Sequence, residues 1–344
     1  MTVLIVGGGK MGLSHLAVAS SLVGRGNVAI CEANFGLRFA YRHMGHRVFP
    51  SLHAAQDCLR GNLSAAIVAT PTPSHYPVAK SLLEASVPCF VEKPLTLRSV
   101  HSAELARIAT TRGIHAQVGF VLRYVATFVT LRKLVSSARF GPVVSYEARM
   151  SGNVITGRQA DTWRSDYSRG GGCLNEYGPH LIDLCRYAFG DISVVKEAAA
   201  TQVHSQRADD RMTASWVHVS GTAGRLELDW CDTARRKSVI EFDVMFQHAH
   251  VTLDNSTLNI DHLAPGWTGA PGELQALQSI APPTVSFYLR GEEYSLQLED
   301  FLGRSLQRKF GATPFEGAAM PALLADGLAV DQLIEEIARK AGLA

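Results

Sequence analysis

The stretch Thr2–Gly12, TVLIVGGGKMG, takes a short apolar run directly into a Gly-x-Gly-x-x-Gly turn. An apolar helical pattern follows the turn, and the next short apolar run, Val28–Cys31, ends on Glu32. A strand, a glycine turn and a helix in this order place backbone N–H groups and a helix N-terminus against a pyrophosphate. The acidic residue at the end of the second strand can accept hydrogen bonds from a ribose diol. The stretch therefore predicts a dinucleotide-binding protein, with an ordinary glycine-rich turn as the alternative. The residues expected to contact the dinucleotide here are Gly7, Gly9, Lys10, Met11, Gly12 and Glu32.

Length and composition indicate a globular protein with two domains. The chain has 344 residues, of which 47% are hydrophobic. Its formal net charge of +2 gives no large basic field, so neither nucleic acid nor an anionic membrane is expected as a partner. No apolar run approaches the ~20 residues of a membrane span, and the opening Thr2–Val6 has no signal-peptide character. The six scattered cysteines lack Cys-x-x-Cys spacing, so we expect buried thiols, no metal site and a reducing, cytoplasmic location.

The pattern of apolar residues changes near Phe120. Before it, short apolar strands without alternation are separated by helices, which predicts an α/β Rossmann domain with a doubly wound parallel sheet. After it come alternating strands and turn signals, which predict an α+β domain with a large, mostly antiparallel open sheet. The predicted domains are residues 1–121, residues 122–317, and a C-terminal helix in 318–344 that could pack back on the first domain.

Polar side chains follow the fourth predicted strand, Ala65–Ala69. Doubly wound sheets bind ligands at the carboxyl ends of their strands, so this loop should border the cofactor. A plain proline-rich turn is the alternative. The candidates for cofactor contact in the loop are Thr70, Pro71, Thr72 and His75.

A charged pair, Glu92 and Lys93, stands at the end of the fifth predicted strand, and Pro94 follows it. A charged pair at a buried strand end is costly unless it has partners. A lysine at this place can bind a substrate hydroxyl or carbonyl oxygen and favour its anionic form. Both residues are therefore candidates for the cofactor site, and Lys93 also for catalysis. A simple surface ion pair is the alternative.

The run Gly170–Asp183, GGGCLNEYGPHLID, combines three glycines with acid/base side chains. The glycines would let the backbone come close to a ligand before a helix predicted over Cys173–Phe189. Glu176 and His180 are four residues apart, which on a regular helix makes them neighbours on one face, and Asp183 can neighbour His180 too. A histidine beside a carboxylate is the usual acid/base arrangement near neutral pH. By itself, a helical Glu-x-x-x-His is more often a surface pair.

These four segments together resemble the glucose–fructose oxidoreductase/inositol dehydrogenase (Gfo/Idh/MocA) family. The likeness extends over nearly the whole chain, from the Rossmann domain through Glu-Lys-Pro at 92–94 and the glycine run to the antiparallel sheet. It implies NAD(P)-dependent oxidation or reduction of a carbinol centre on a sugar, cyclitol, nucleotide sugar or related polyol. In the family a lysine, an aspartate and a histidine line the substrate site, and these positions carry over to Lys93, Glu176 and His180.

The chain departs from the family pattern at Glu176, where aspartate is usual, so the placement of this longer carboxylate stays open. The resemblance implies that Trp163 and Arg164 contact the nicotinamide end of the cofactor. It places Arg123 in a segment lining the crevice between domains, with an interdomain salt bridge as an equal alternative. The implied substrate contacts are Lys93, Arg123, Asn175, Glu176 and His180.

The implied reaction takes a hydride from a C–H bond and a proton from the attached hydroxyl group. His180 would act as general base, Lys93 would steady the developing alkoxide, and Glu176 would orient substrate hydroxyls or the imidazole. The sequence does not set the direction. Glu32 favours NAD over NADP because its carboxylate would repel a 2′-phosphate, although Arg38 could compensate.

Two other functions fit the same fold. One is a dinucleotide-binding sensor without turnover. The presence of both Lys93 and His180 argues against it, because a sensor does not need both. The other uses bound NAD for internal redox chemistry that drives hydrolysis or elimination of a glycoside.

Apolar residues on both phases of the strand containing Val239–Met245 predict an open apolar sheet face, so a homodimer or homotetramer through the C-terminal sheet is expected.

Overall fold

The computed structural model describes residues 1–157, 162–262, 285, 287–310 and 320–343. By their contacts these residues form two compact units. The first contains residues 1–124 with those described in 283–331, and the second contains those described in 125–282 and 332–344. Each unit has its own β-sheet.

The first unit is built on a six-stranded parallel sheet. Its strands are β1 Thr2–Val6, β2 Val28–Cys31, β3 Arg47–Phe49, β4 Leu63–Val68, β5 Cys89–Val91 and β6 Ala116–Val118. They are joined by α1 Lys10–Val23, α2 Phe35–His43, α3 Leu52–Cys58, α4 His75–Glu84 and α5 Ser99–Arg112. The strand order is β3-β2-β1-β4-β5-β6, so the order reverses between β1 and β4. This confirms the doubly wound sheet, whose ligand crevice lies at the carboxyl ends of the strands on either side of that reversal.

Burial on both faces explains why the strands of the first unit are uniformly apolar. Val3, Leu4 and Ile5 are consecutive in β1 and are fully buried, although successive side chains of a strand point to opposite faces. Helices cover both faces of such a sheet, so alternation with polar residues disappears.

One helix that the sequence placed in the second domain lies in the first unit. The two C-terminal helices are α9 Glu292–Leu306 and α10 Leu324–Lys340. The rings of Phe301 and Phe90 are 5.7 Å apart, and Leu298 is buried in the same core. The apolar face of α9 thus completes the core of the first sheet, a long-range contact that local patterns do not reveal. No helix in the described ranges is long and apolar enough to cross a membrane.

The second unit carries a seven-stranded sheet. Its strands are β7 Val143–Ser151, β8 Ile192–Thr201, β9 Arg211–His218, β10 Ala223–Asp229, β11 Val239–Phe246, β12 Ala249–Asp254 and β13 Leu258–His262. Their order is β13-β12-β11-β7-β10-β9-β8, in which only β7 and β10 pair in parallel. The helices are α6 Ala126–Ser137, α7 Cys173–Glu176 and α8 Gly178–Phe189. The mostly antiparallel sheet is therefore confirmed.

The two faces of this sheet differ sharply. On one face Tyr146 stacks on Phe189 of α8, with ring centroids 4.0 Å apart. On the other, Arg149 forms salt bridges with Glu147 and Glu227 at 2.7 and 3.4 Å. The predicted open apolar face is wrong, because the residues of β11 alternate: the apolar positions Ile240, Phe242 and Val244 are buried and Asp243 is exposed.

Candidate active site

Glycine is required at two positions of the turn after β1. Gly7 has a φ of +97°, and a Cβ there would lie 2.7 Å from the carbonyl oxygen of Ala69. A Cβ at Gly12 would lie 1.8 Å from the carbonyl oxygen of Gly7, so the first turn of α1 packs directly on the loop. A Cβ at Gly9, the N-cap of α1, would meet nothing within 4 Å. The open side of the turn therefore leaves the N-terminal N–H groups of α1 accessible to an anion such as a pyrophosphate.

Glu32 lies beside this turn at the end of β2. Its Oε2 accepts a hydrogen bond from the N–H of Gly8 at 2.6 Å, and its Oε1 accepts one from Asn34 at 2.6 Å. A carboxylate has about four acceptor positions, so lone pairs remain for a ribose hydroxyl. The Arg38 guanidinium donates to the backbone carbonyl oxygens of Glu32 and Ala33, which places a cation beside the backbone at the end of β2.

His75 joins two loops at the carboxyl ends of strands. The side chain is 1% exposed; its Nδ1 lies 2.9 Å from the Pro94 carbonyl oxygen and its Nε2 lies 2.9 Å from that of Thr70. Burial lowers the pKa of the ring, although both carbonyl contacts favour its protonated form. The imidazole therefore holds the loops in place and does not face an open surface. The buried Oγ1 of Thr70 has no hydrogen-bond partner in the described part of the chain, which suits a ligand contact.

A buried histidine–carboxylate pair stands next to Lys93. His15 Nε2 on α1 and Glu92 Oε1 lie 2.6 Å apart, with side chains only 2% and 13% exposed. Glu92 Oε2 also accepts a hydrogen bond from the backbone N–H of Lys93 at 3.2 Å. Burial alone would raise the pKa of Glu92, but the hydrogen bond and charge of His15, together with the charge of Lys93, lower it overall. The carboxylate thus stays ionised, and it fixes the backbone from which Lys93 projects.

The chain after Lys93 is braced from the other side. The Thr96 N–H donates to the carboxylate of Asp331 in α10 at 3.0 Å. The backbone of Gly327 packs so closely on Leu95 that a Cβ there would approach its side chain to 2.8 Å. Lys93 itself is half-buried. It therefore stands between two held segments at the carboxyl end of β5.

Arg123 forms a salt bridge within the first unit. Its guanidinium is buried, and Nη2 lies 3.2 Å from Oδ1 of Asp326. Both residues belong to the same unit, so the partner differs from the interdomain one that the sequence suggested.

The three glycines of the second unit fit closely against protein atoms. Gly170 and Gly172 have φ values of +85° and +97°. A Cβ at Gly171 would lie 2.2 Å from the carbonyl oxygen of Arg164, and one at Gly172 would lie 2.1 Å from Oδ1 of Asp209. The close approach that the sequence predicted is thus to the protein's own backbone and side chains.

The predicted single helix over Cys173–Phe189 is wrong, because the chain breaks at Tyr177 into α7 and α8. Pro179 has no N–H to continue the first helix, but it is well tolerated in the first turn of the second. Glu176 ends α7 and His180 lies in the first turn of α8, so they do not share one continuous helix face. Both side chains are half-buried.

Asn175 and Asp183, in contrast, are buried. The amide Nδ2 of Asn175 donates to the Gly171 carbonyl oxygen at 2.8 Å, which ties α7 to the glycine run. Asn175 therefore supports the local backbone, and Glu176 and His180 are the more accessible polar side chains.

Trp163 and Arg164 form the short 3₁₀ helix Trp163–Ser165 upstream of the glycines. The Arg164 guanidinium carbon lies 4.8 Å from the Trp163 ring centroid, a cation–π contact. Trp163 is 38% exposed. The buried Nε of Arg164 has no hydrogen-bond partner among the described residues, so it could donate to a ligand.

Two residues near the glycine turn escaped the sequence prediction. His15 looks like one polar position in an apolar helix, and its partner Glu92 is 77 residues away. The only local signal is that it lies three residues after Gly12, on the side of α1 that packs on the sheet. Arg290 is exposed and donates to the sulfur of Met11 at 3.1 Å, which places a guanidinium at the start of α1.

The fold and the glycine turn define an α/β unit of the dinucleotide-binding type, followed by a unit with a mostly antiparallel sheet. Residues 1–120 match the model of an oxidoreductase family with an NAD-binding Rossmann fold. Residues 128–252 match the model of the GFO/IDH/MocA C-terminal domain. The two models cover more than two thirds of the chain, which therefore belongs to the Gfo/Idh/MocA family of oxidoreductases.

Similar proteins include several dehydrogenases. The NADP(+)-dependent scyllo-inositol 2-dehydrogenase IolW of Bacillus subtilis is 27% identical over 47% of this chain and 43% of its own length. The UDP-N-acetylglucosamine 3-dehydrogenase of Acidithiobacillus ferrooxidans is 26% identical over 74% and 73%. The chain thus spans about half or less of the length of several curated relatives it matches, IolW among them.

A solved structure of levoglucosan dehydrogenase, in complex with NADH and levoglucosan, has the same fold. Its TM-score is 0.80, and the alignment covers 99% of this chain and 97% of that one. At 19% sequence identity this likeness supports the fold and carries no information on substrate.

Proposed function

We propose that this chain is a NAD-dependent dehydrogenase that interconverts a secondary alcohol and a ketone on a sugar, cyclitol or nucleotide sugar. The observation that carries the proposal is the bracing of Lys93 by Glu92 and His15 on one side and by Thr96 on the other. A held ammonium group at the carboxyl end of a strand is suited to stabilising a developing alkoxide. The names of the inositol and UDP-N-acetylglucosamine dehydrogenases support the substrate class.

The residues around the glycine turn fit a dinucleotide. Gly9 leaves room for the pyrophosphate, Glu32 keeps acceptor positions for a ribose, and Thr70 Oγ1 is available as a donor. When bound, the nicotinamide accepts or supplies the hydride. The residues proposed to hold the dinucleotide are Gly7, Gly9, Lys10, Met11, Gly12, Glu32, Thr70, Pro71, Thr72, Glu92, Lys93, Trp163 and Arg164. His75 contributes indirectly, by holding the loop of Thr70.

The protein's own groups would manage the proton. His180 takes the proton of the substrate hydroxyl during oxidation and returns it during reduction. Lys93 stabilises the negative charge that develops on the same oxygen. Glu176 orients substrate hydroxyls or the imidazole. Arg123 and Asn175 have protein partners, so their part is to support the local structure.

A panel of sugars, cyclitols and nucleotide sugars with NAD, and of their keto forms with NADH, tests this function. Product formed together with an equal amount of reduced cofactor, read by absorbance at the reduced-nicotinamide band, supports a dehydrogenase. Product without net reduced cofactor contradicts it in favour of internal redox chemistry. NADH binding without turnover of any compound contradicts it in favour of a sensor.

Glu32 supports NAD as the preferred cofactor. Its carboxylate lies against Gly8, where a 2′-phosphate would meet a negative charge, and the guanidinium of Arg38 is engaged with backbone carbonyls. We expect a lower KM for NADH than for NADPH. A much lower KM for NADPH would contradict this role of Glu32.

The second sheet has a charged face, the one that carries Arg149, and this face supports pairing of two copies through charge and not through apolar contact. Arg149 and Arg225 alternate with Glu147 and Glu227 on this face. A two-fold interface brings the same patch of both copies together, and a patch with both signs can complement itself. We expect a homodimer or homotetramer whose sedimentation coefficient falls with added salt. A monomer at micromolar concentration in low salt would refute it.

A further inference from the structure

The second unit contains a buried acidic pair, Asp209 and Asp210, just before β9, and neither side chain has any exposed surface. The carboxylate of Asp210 receives most of its hydrogen bonds from its own turn. Its Oδ2 accepts three backbone hydrogen bonds, from Val203, His204 and Ser205. Its Oδ1 accepts from the hydroxyl of Ser205 and from the indole of Trp230. Asp209 has its partners in another segment of the chain.

Asp209 caps the short helix α7. Its Oδ2 accepts the N–H of Leu174 at 2.7 Å and the thiol of Cys173 at 3.0 Å, and its backbone carbonyl accepts the N–H of Cys173 at 2.9 Å. The N-cap residue of α7 is Gly172, which has no side chain to receive these donors. The carboxylate from the distant segment therefore takes the place of a local capping side chain. Glycine at 172 leaves room for it.

This arrangement is costly for folding. Burial raises the pKa of Asp209 to about 6, and the charge of Asp210 adds to the effect. The other ionisable groups beside it are the thiol of Cys173 and the phenol of Tyr167. Asp209 Oδ1 has no hydrogen-bond partner in the described part of the chain. Gly172 has a φ of +97°, at which any side chain would be strained, so a capping group for α7 has to come from another segment.

We propose that Asp209 is a positioning residue: its carboxylate holds α7 so that Glu176 and His180 keep the orientation that turnover requires. The inference rests on the proposed dehydrogenase function. A helix of four residues has little stability of its own, so its direction depends on what holds its first turn. Glu176 is the last residue of that helix, and His180 follows in the first turn of α8. Loss of the cap would therefore shift the side chains of Glu176 and His180, although neither residue is itself replaced.

The test compares Asp209→Ala, Asp209→Asn and Cys173→Ser in the full chain, with Asp232→Asn as a control. Asp232 lies in the same unit and caps only its own turn. We expect Asp209→Ala to lower kcat by about 100-fold, with the KM for NAD unchanged. Asp209→Asn keeps an acceptor for Leu174 and should lose less. Cys173→Ser and the control should resemble wild type.

Hydrogen exchange of the amides of residues 173–180 gives a readout that needs no turnover. Asp209→Ala should exchange faster there, and the control should not. Wild-type kcat in both Asp209 variants would overturn the inference. If Asp209→Ala does not fold, the kcat of Asp209→Asn is the deciding value, and a wild-type value there would overturn the inference. If the wild-type chain oxidises no compound, the proposed function fails separately. In that case hydrogen exchange is the only test of the positioning role, and unchanged exchange of residues 173–180 in the Asp209 variants overturns it.

Discussion

Replacing His15 by alanine should destabilise the first unit and disturb Lys93, because it removes a 2.6 Å contact to the largely buried carboxylate of Glu92. A hydrogen bond to a charged group contributes about 1.5–3 kcal/mol, and the low exposure of both side chains leaves little solvent screening. The imidazole also packs edge-on against Phe90, with ring centroids 5.4 Å apart. We therefore expect the free energy of unfolding to fall by about 2–4 kcal/mol near neutral pH.

The pH dependence of this loss follows from the direction of the Glu92 pKa. In the wild type the pKa is lowered, so its contribution to stability is present above the unfolded value of about 4.3 and is lost as the pH falls through the folded value. Without His15, the two largest influences that lower the pKa of Glu92 are lost, so this pKa should rise relative to the wild type. The difference in stability between the two proteins should therefore be largest near neutral pH and narrow below about pH 4.

Thermal and urea unfolding of the full-length His15→Ala variant measure the effect, and His53→Ala is the matched control. His53 pairs with Asp57, but its side chain is 87% exposed, so its replacement should change little. With about 2–4 °C per kcal/mol for a domain of this size, His15→Ala should lower Tm by about 4–16 °C. If both variants unfold like the wild type, the His15–Glu92 pair does not hold this part of the molecule.

Three further predictions concern the glycine turn and its surroundings. Gly12→Ala should weaken NADH binding by at least about tenfold, because its Cβ would meet the carbonyl oxygen of Gly7; unchanged fluorescence titration would contradict this. Arg290→Ala should weaken NADH binding in a salt-dependent way, since it removes a cation at the start of α1, and equal affinity at all salt concentrations would argue against that role. The raised pKa of Asp209 makes the native state bind the extra proton, so the contribution of this residue to wild-type stability should fall as the pH rises from about 4 to about 6. Asp209→Asn should flatten this slope in unfolding experiments, and an identical slope would show that another group is responsible.

The glycine turn of the first unit could be predicted from the sequence because its contacts are local. Strand, turn and helix in Thr2–Gly12 adjoin one another, and Glu32 follows at the end of the next strand. The conformation that Gly7 and Gly12 require arises within the same turn. Local spacing therefore carried most of the information.

The segment Gly170–His180 of the second unit was harder to predict, because its geometry depends on distant residues. The glycines of 170–172 fit against Arg164 and Asp209, and the latter is encoded 37 residues after Gly172. Helical spacing also suggested one face for Glu176 and His180, whereas Pro179 marks the start of a second helix. His15 was missed for the same reason: its partner is far away in sequence.

The most direct test of the central claim is kcat and NADH affinity measured together in Lys93→Met and His180→Asn. Both side chains are proposed to act on the hydroxyl of one bound substrate, and neither is needed to hold the pyrophosphate. The account predicts a fall in kcat of about 100-fold or more in each variant. The dissociation constant for NADH should be nearly unchanged in His180→Asn. In Lys93→Met it should rise by a much smaller factor than kcat falls, because Lys93 is also proposed to contact the cofactor. Turnover near the wild-type rate in either variant would contradict it.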